Sequence, residues 1–193
     1  MQQVSLSRKP SRGFALGEMM LAVAIVAVIV AIGAAVYGNM RGGINADDQA
    51  AKTVQLAADI QKNWRNAGTF ATVSGSTVNA LSLVQKPIKF DGTNLQDAWG
   101  NTLSASGGTA TFALTIGGAT NPLGKDECAA VANRLGSGVA TNINVGTAAT
   151  LGSGATAGTV TGGNSYKVGQ TVTQASLTTG CSEASTVIAA SFR

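Results

Sequence analysis

Residues 13–36 read GFALGEMMLAVAIVAVIVAIGAAV, an apolar stretch with one acid near its start. From Met19 to Val36 there are 18 residues without a charge. At 1.5 Å per residue, about 20 apolar residues of helix cross a hydrocarbon core of about 30 Å. The run therefore reads as a membrane-spanning helix. Upstream lie Arg8, Lys9 and Arg12 with no acid among them, a pattern that keeps the N-terminus cytoplasmic and sends the bulk of the chain outward. An ordinary signal peptide would carry a small-residue cleavage site after the run, and Ala34-Ala35 is a poor version of one. The anomaly is Glu18. A carboxylate so close to an apolar run is costly without a partner and reads as functional.

Composition narrows the function. Of 193 residues only 11% are charged, and 25 are glycine. An ordinary soluble domain carries about 25% charged residues. The formal charge is +4, from 13 basic and 9 acidic residues. Without Arg8, Lys9 and Arg12 the balance is 10 against 9, so a basic face for nucleic acid is not expected. There is no histidine, which removes Ser-His and Cys-His nucleophile pairs and His-ligated zinc. Two cysteines cannot make a four-thiolate metal site, and no pair of carboxylates stands out. The chain reads as no enzyme, with no cofactor and no metal.

Downstream, Gly33, Gly38 and Gly42-Gly43 weaken the helix by roughly 1 kcal/mol each relative to alanine. Gly33 to Gly43 is either a place where the helix can stretch or simply a flexible exit. From Asn45 to Ala67 the pattern is amphipathic. Ala46, Ala50, Thr53, Leu56, Ala57, Ile60, Trp64 and Ala67 share one face, with Asp48, Lys52, Gln55, Asp59, Lys62 and Arg65 opposite. Asp48 and Lys52 form an acid-then-base pair four apart. Trp64 reads as core rather than as a ligand site.

A linking segment runs from Gly68 to about Lys86. Asp91-Gly92 and Ala98-Trp99-Gly100-Asn101 signal turns. Thr109–Ile116 alternates like a strand, and Lys125–Gly136 reads as a short helix with Cys128, Val131, Ala132 and Leu135 as its stripe. The Gly-, Thr-, Ala- and Ser-rich stretch 137–163 is either linker or short strands and loops inside the Cys128–Cys181 span. Residues 166–172 and 186–192 read as strands. An even cysteine count in an exported chain suggests a Cys128–Cys181 disulfide.

Gly13-Phe14-Ala15-Leu16-Gly17-Glu18, behind a basic leader and ahead of an apolar helix, resembles the class III signal of type IV pilins. The resemblance is motif-level over residues 8–40 and architectural beyond them. It implies cleavage between Gly13 and Phe14 by a prepilin peptidase that also N-methylates Phe14. It implies that Glu18 meets the Phe14 amine of a neighbouring subunit during assembly. It also implies an α+β type IV pilin fold: a long N-terminal hydrophobic helix packed on an antiparallel β-sheet head, with a C-terminal disulfide loop called the D-region. The expected segments are a leader (1–13), a transmembrane and filament-core half of the helix (14–43), its amphipathic half (44–67) and the head (68–193). The long cysteine spacing and the short leader look like the type IVb subclass, although Phe14 is more usual in type IVa.

By resemblance the protein is a pilus subunit. It is single-pass in the inner membrane before assembly and part of an extracellular filament afterwards. The filament would serve adhesion, aggregation, motility or DNA transfer. Its implied partners are further copies of itself, the prepilin peptidase, the inner-membrane assembly platform, minor pilins and, before assembly, the membrane. The rivals are a type II secretion pseudopilin, a minor pilin and a membrane-anchored enzyme. Asp91 and Asp97 are the residues that could give a pseudopilin-like calcium loop.

Overall fold

The computed structural model describes residues 16–193, apart from the side chains of residues 16, 18, 35 and 38–42. By its internal contacts the chain divides into two compact units, Met1–Met40 and Arg41–Arg193.

Helix α1 spans Leu16–Trp64, and the stretch Gly33–Gly43 is helical within it. Its first part is apolar all round. Its second part is amphipathic, and Ala46, Gln49, Ala50, Thr53, Leu56, Ala57, Ile60 and Trp64 are buried. These positions recur every three or four residues, the spacing of one helix face. Ala67, expected on that face, is exposed beyond the end of the helix. Trp64 is core as expected, its indole N–H donating to Thr72 Oγ1 at 2.8 Å.

The expected fold is corrected here. The α+β class stands, but the long hydrophobic helix packed on a sheet does not. The residues of α1 that share a core with the sheet are 46–64, an amphipathic stretch. The uninterrupted run of described apolar side chains, 19–34, is exposed. It rises only about 24 Å at 1.5 Å per residue, against a hydrocarbon core of about 30 Å. Among the described residues no helix is long and apolar enough to cross a membrane. The single-pass inner-membrane placement, and the type IV pilin architecture built on it, therefore lose their support.

The second unit holds three antiparallel sheets. Strands β1 (Lys89–Phe90), β2 (Leu95–Gln96) and β3 (Thr102–Leu103) form the first, in that order. The turn after β1 is the one expected at Asp91-Gly92: Asp91 Oδ1 accepts from the amides of Thr93 (2.8 Å) and Asn94 (2.7 Å). Gly100, at φ +85°, makes the second expected turn, its N–H donating to Asp97 O. Ahead of β1, the segment taken as a plain link contains helix α2 (Gly75–Ala80), with a capping box between Ser74 and Thr77.

The main sheet has six strands in the order β10-β9-β6-β11-β5-β4. Their ranges are β4 Ala105–Gly107, β5 Phe112–Gly117, β6 Ala140–Gly146, β9 Asn164–Val168, β10 Thr171–Val172 and β11 Val187–Phe192. Strand β11 is central, pairing Val187 with Gly117 of β5 and with Gly146 of β6. A two-stranded sheet, β7 (Thr150–Leu151) with β8 (Val160–Thr161), completes the set.

Two strand readings change, and one of two open readings is decided. Residues 109–116 were expected to alternate, yet every residue of β5 is buried, since β3 and β7 lie against it as well as its sheet neighbours. Residues 166–172 are not one strand but a hairpin, turned at Gly169 with φ +60°, a value glycine adopts freely. The stretch 137–163 is strands and loops of the head rather than linker.

Helix α3 (Lys125–Ser137) carries the expected stripe, with Cys128, Val131, Ala132 and Leu135 buried. Helix α4 (Gln174–Gly180) was not foreseen. It lies so close to β6 that a Cβ on Gly180 would stand 2.6 Å from Val145 O. That approach brings Cys181 to Cys128, and the two are bonded with Cα atoms 5.6 Å apart. The core joins both helices to the buried face of α1 and to stacked Phe112 and Phe192, whose ring centroids are 5.1 Å apart.

Candidate functional site

The feature of the first unit that stands out is its apolar surface. Met20, Val23, Val26, Ile29 and Ile32 are between 59% and 69% exposed. Monomeric proteins rarely leave large contiguous apolar patches in water, and larger ones mark interaction surfaces. Ala22, Val26, Val30 and Ala34 follow one another at four-residue steps, and Val23, Ala27 and Ala31 do the same alongside. Together they line one open groove. Side chains at such spacing form ridges and grooves along a helix, the shape into which a second helix packs.

Of the residues singled out in the sequence, Gly13, Phe14 and the leader 1–13 lie outside the described residues. Glu18 is helical, and its side chain lies outside the description. Cys128 and Cys181 are brought together in the second unit.

The polar groups of the second unit are occupied in holding it together. Asp97, 3% exposed, accepts from the amides of Trp99, Asn101 and Gly117 and from Asn101 Nδ2. Its oxygens are spent on backbone, so Asp97 closes a loop and does not present a ligand set. Asp91 does the same for the β1–β2 turn. Hydrogen bonds from Asn94 and Thr93 hold its carboxyl below the ordinary carboxylate range. Glu183 accepts from Thr147 Oγ1 (2.7 Å), the Thr147 amide (2.6 Å) and Asn164 Nδ2 (3.0 Å). The Thr147 contacts come first in lowering its pKa. Glu183 thereby ties the segment after Cys181 to β6 and β9. Tyr166 is buried, which pushes its phenol upward, and its hydroxyl donates to Asn133 Oδ1 at 2.6 Å. Lys167 Nζ donates to Gly136 O near the C-terminal end of α3, where a cation is favoured.

Among the described residues no group of three or more His, Cys, Asp or Glu side chains could hold a metal ion. The residue that sequence reasoning missed is Gln49. It is fully buried on the inner face of α1, donates to Thr53 Oγ1 (3.1 Å) and accepts from the Ala98 amide (2.8 Å). A glutamine between two alanines of the stripe was the available signal. No known protein-family model matches the chain, and no curated protein matches it.

Proposed function

We propose that the chain is a structural subunit of a type IV pilus-type filament, trimmed behind Gly13 and polymerised through its N-terminal apolar segment. The observation that carries this reading is the exposure of the described apolar side chains from Met19 to Ala34. Each Val, Leu, Ile or Met side chain moved from water into a packed interface contributes about 1.5–3 kcal/mol. Packing these segments against one another in many copies removes that surface from water without any other partner. The class III signal of residues 13–18 supplies the processing step. Cleavage frees the Phe14 amine, prepilin peptidase methylates it, and Glu18 of a neighbouring copy pairs with it. A charge pair in an apolar core fixes register more than it adds stability. The disulfide-closed head, with its polar groups turned to internal bonds, suits a durable outer surface. Minor pilins and an assembly platform are the partners this function requires.

Electron microscopy of cells with and without the gene, with intact-mass analysis of sheared filaments, tests the reading. Filaments should be built of a chain beginning at Phe14, 180 residues long by removal of residues 1–13 from 193, with one added methyl. A chain that keeps Met1 or is cut near Ala35 would refute it.

A further inference from the structure

The second unit has an unexplained surface at each end of its portion of α1. At one end, Ile44 is 66% exposed, while Asp47 and Asp48 are exposed three and four residues later and so share its helix face. At the other end is a cleft of roughly 710 Å³. Trp64 and Phe70 give it an apolar lining, Lys62, Arg65 and Arg193 supply cations, and no acidic side chain lines it. Among the described residues none of Asp47, Asp48, Lys62 and Arg65 has an ion-pair partner. Cations near a helix C-terminus also offset its carbonyl charge. That explains the sign of Lys62 and Arg65, but neither the cleft beside them nor the exposed Ile44.

The two surfaces match one another. One offers an apolar side chain flanked by two carboxylates, and the other an apolar cleft flanked by cations. They cannot meet within one molecule, because residues 46 and 64 are about 27 Å apart along the helix at 1.5 Å per residue. A contact between different surfaces of identical subunits is heterologous, and when its rotation does not close it builds an open filament. We propose that the Ile44–Asp47–Asp48 face of one copy seats in the Lys62–Arg65 cleft of the next, as the contact between successive heads of the assembly. The partner is thus a second copy of this chain. The inference deepens the filament reading and rests on it. Opposite charges also steer approach and reject wrong registers, because like charges then face one another.

Charge reversal tests this in the full chain. Asp47→Lys with Asp48→Lys places cations against the cleft, and Lys62→Glu with Arg65→Glu places acids against Asp47 and Asp48. Each double variant should yield at least tenfold less filament. The chain carrying all four reversals should return to within about threefold of wild type, and so should an equal mixture of the two double variants. Unchanged thermal melting of every variant establishes that the fold is intact. Double variants that assemble like wild type, or a fourfold variant no better than either double, overturn the contact. If wild type itself builds no filament, the filament reading fails separately. Sedimentation of the full chain in detergent then decides the contact. Salt-sensitive association lost in both doubles and regained in the fourfold variant supports it, and any other pattern overturns it.

Discussion

The two units of this chain solve opposite problems. In Arg41–Arg193, Phe112, Phe192, Leu95, Leu114 and Ile188 are buried, and among the described residues no buried side-chain nitrogen or oxygen lacks a hydrogen-bond partner. From Met19 to Val36, large apolar side chains stand exposed. A self-sufficient head and an unsatisfied segment in one chain imply that stability and assembly are carried by different residues. Mutations should therefore separate the two properties cleanly.

The largest separation is expected at Glu18. In the proposed filament, Glu18→Ala would leave the neighbour's Phe14 amine unpaired in an apolar core, at about 3–5 kcal/mol for each subunit added. Sheared-filament yield should fall to background while trimming continues and the melting temperature of the head stays within about 1 °C. Glu18→Gln should be milder, because an amide oxygen still accepts a hydrogen bond. Filament yield equal to wild type in the alanine variant would mean that Glu18 takes no part in assembly.

Cys128→Ser with Cys181→Ser should act on the other side. Opening a loop with a sequence separation of 53 removes about 4 kcal/mol in the chain-entropy model. For a unit of this size that lowers the melting temperature by roughly 8–16 °C. Calorimetry checks it, and a shift under about 2 °C would show that the cross-link does not hold the head together.

Gln49→Ala sharpens the comparison within α1 itself. The half-buried Ala98 amide loses its acceptor, at a cost of up to about 1–3 kcal/mol. The urea midpoint should fall while filament morphology is retained. An unchanged midpoint would mean that water or a backbone shift replaces the glutamine.

The smallest effect is at Glu183, whose folded pKa is depressed below the ordinary 4.5 by its bonds to Thr147. A depressed folded pKa adds stability above the unfolded value, and that stability is lost as pH falls through the folded one. Wild type should therefore lose melting temperature on acidification below about pH 4.5 more steeply than Glu183→Gln. Parallel pH profiles would show that the carboxylate charge does not matter there.

Much of the head was legible where chemistry is local. Asp91-Gly92 and Gly100 announced their turns, and the Cys128–Val131–Leu135 stripe announced α3. What was hidden depends on tertiary neighbours. Strands of two residues, such as β1 and β7, are too short to show a period. Residues 174–180 (QASLTTG) hold Leu177 as their one large apolar side chain, so α4 had no stripe to read. The alternation in β5 failed because both its faces are covered, so Thr115 is buried with its neighbours and its hydroxyl accepts from the Ser104 amide at 2.9 Å. For the site, the apolar run and Glu18 stood out by composition alone. The Ile44 face and the Lys62–Arg65 cleft did not, because a cleft needs Phe70 and Thr109 beside α1, and no spacing rule places them there.

The position of β11 bears on how the chain folds during synthesis. The last described strand is an interior strand of the main sheet, flanked by β5 and β6. A chain that emerges N-terminus first has both neighbours in place, with open edges, before the strand between them arrives. Such edges are templates for wrong pairing between chains. The main sheet cannot close before β11 has emerged, so β5 and β6 are the edges open to wrong pairing during synthesis.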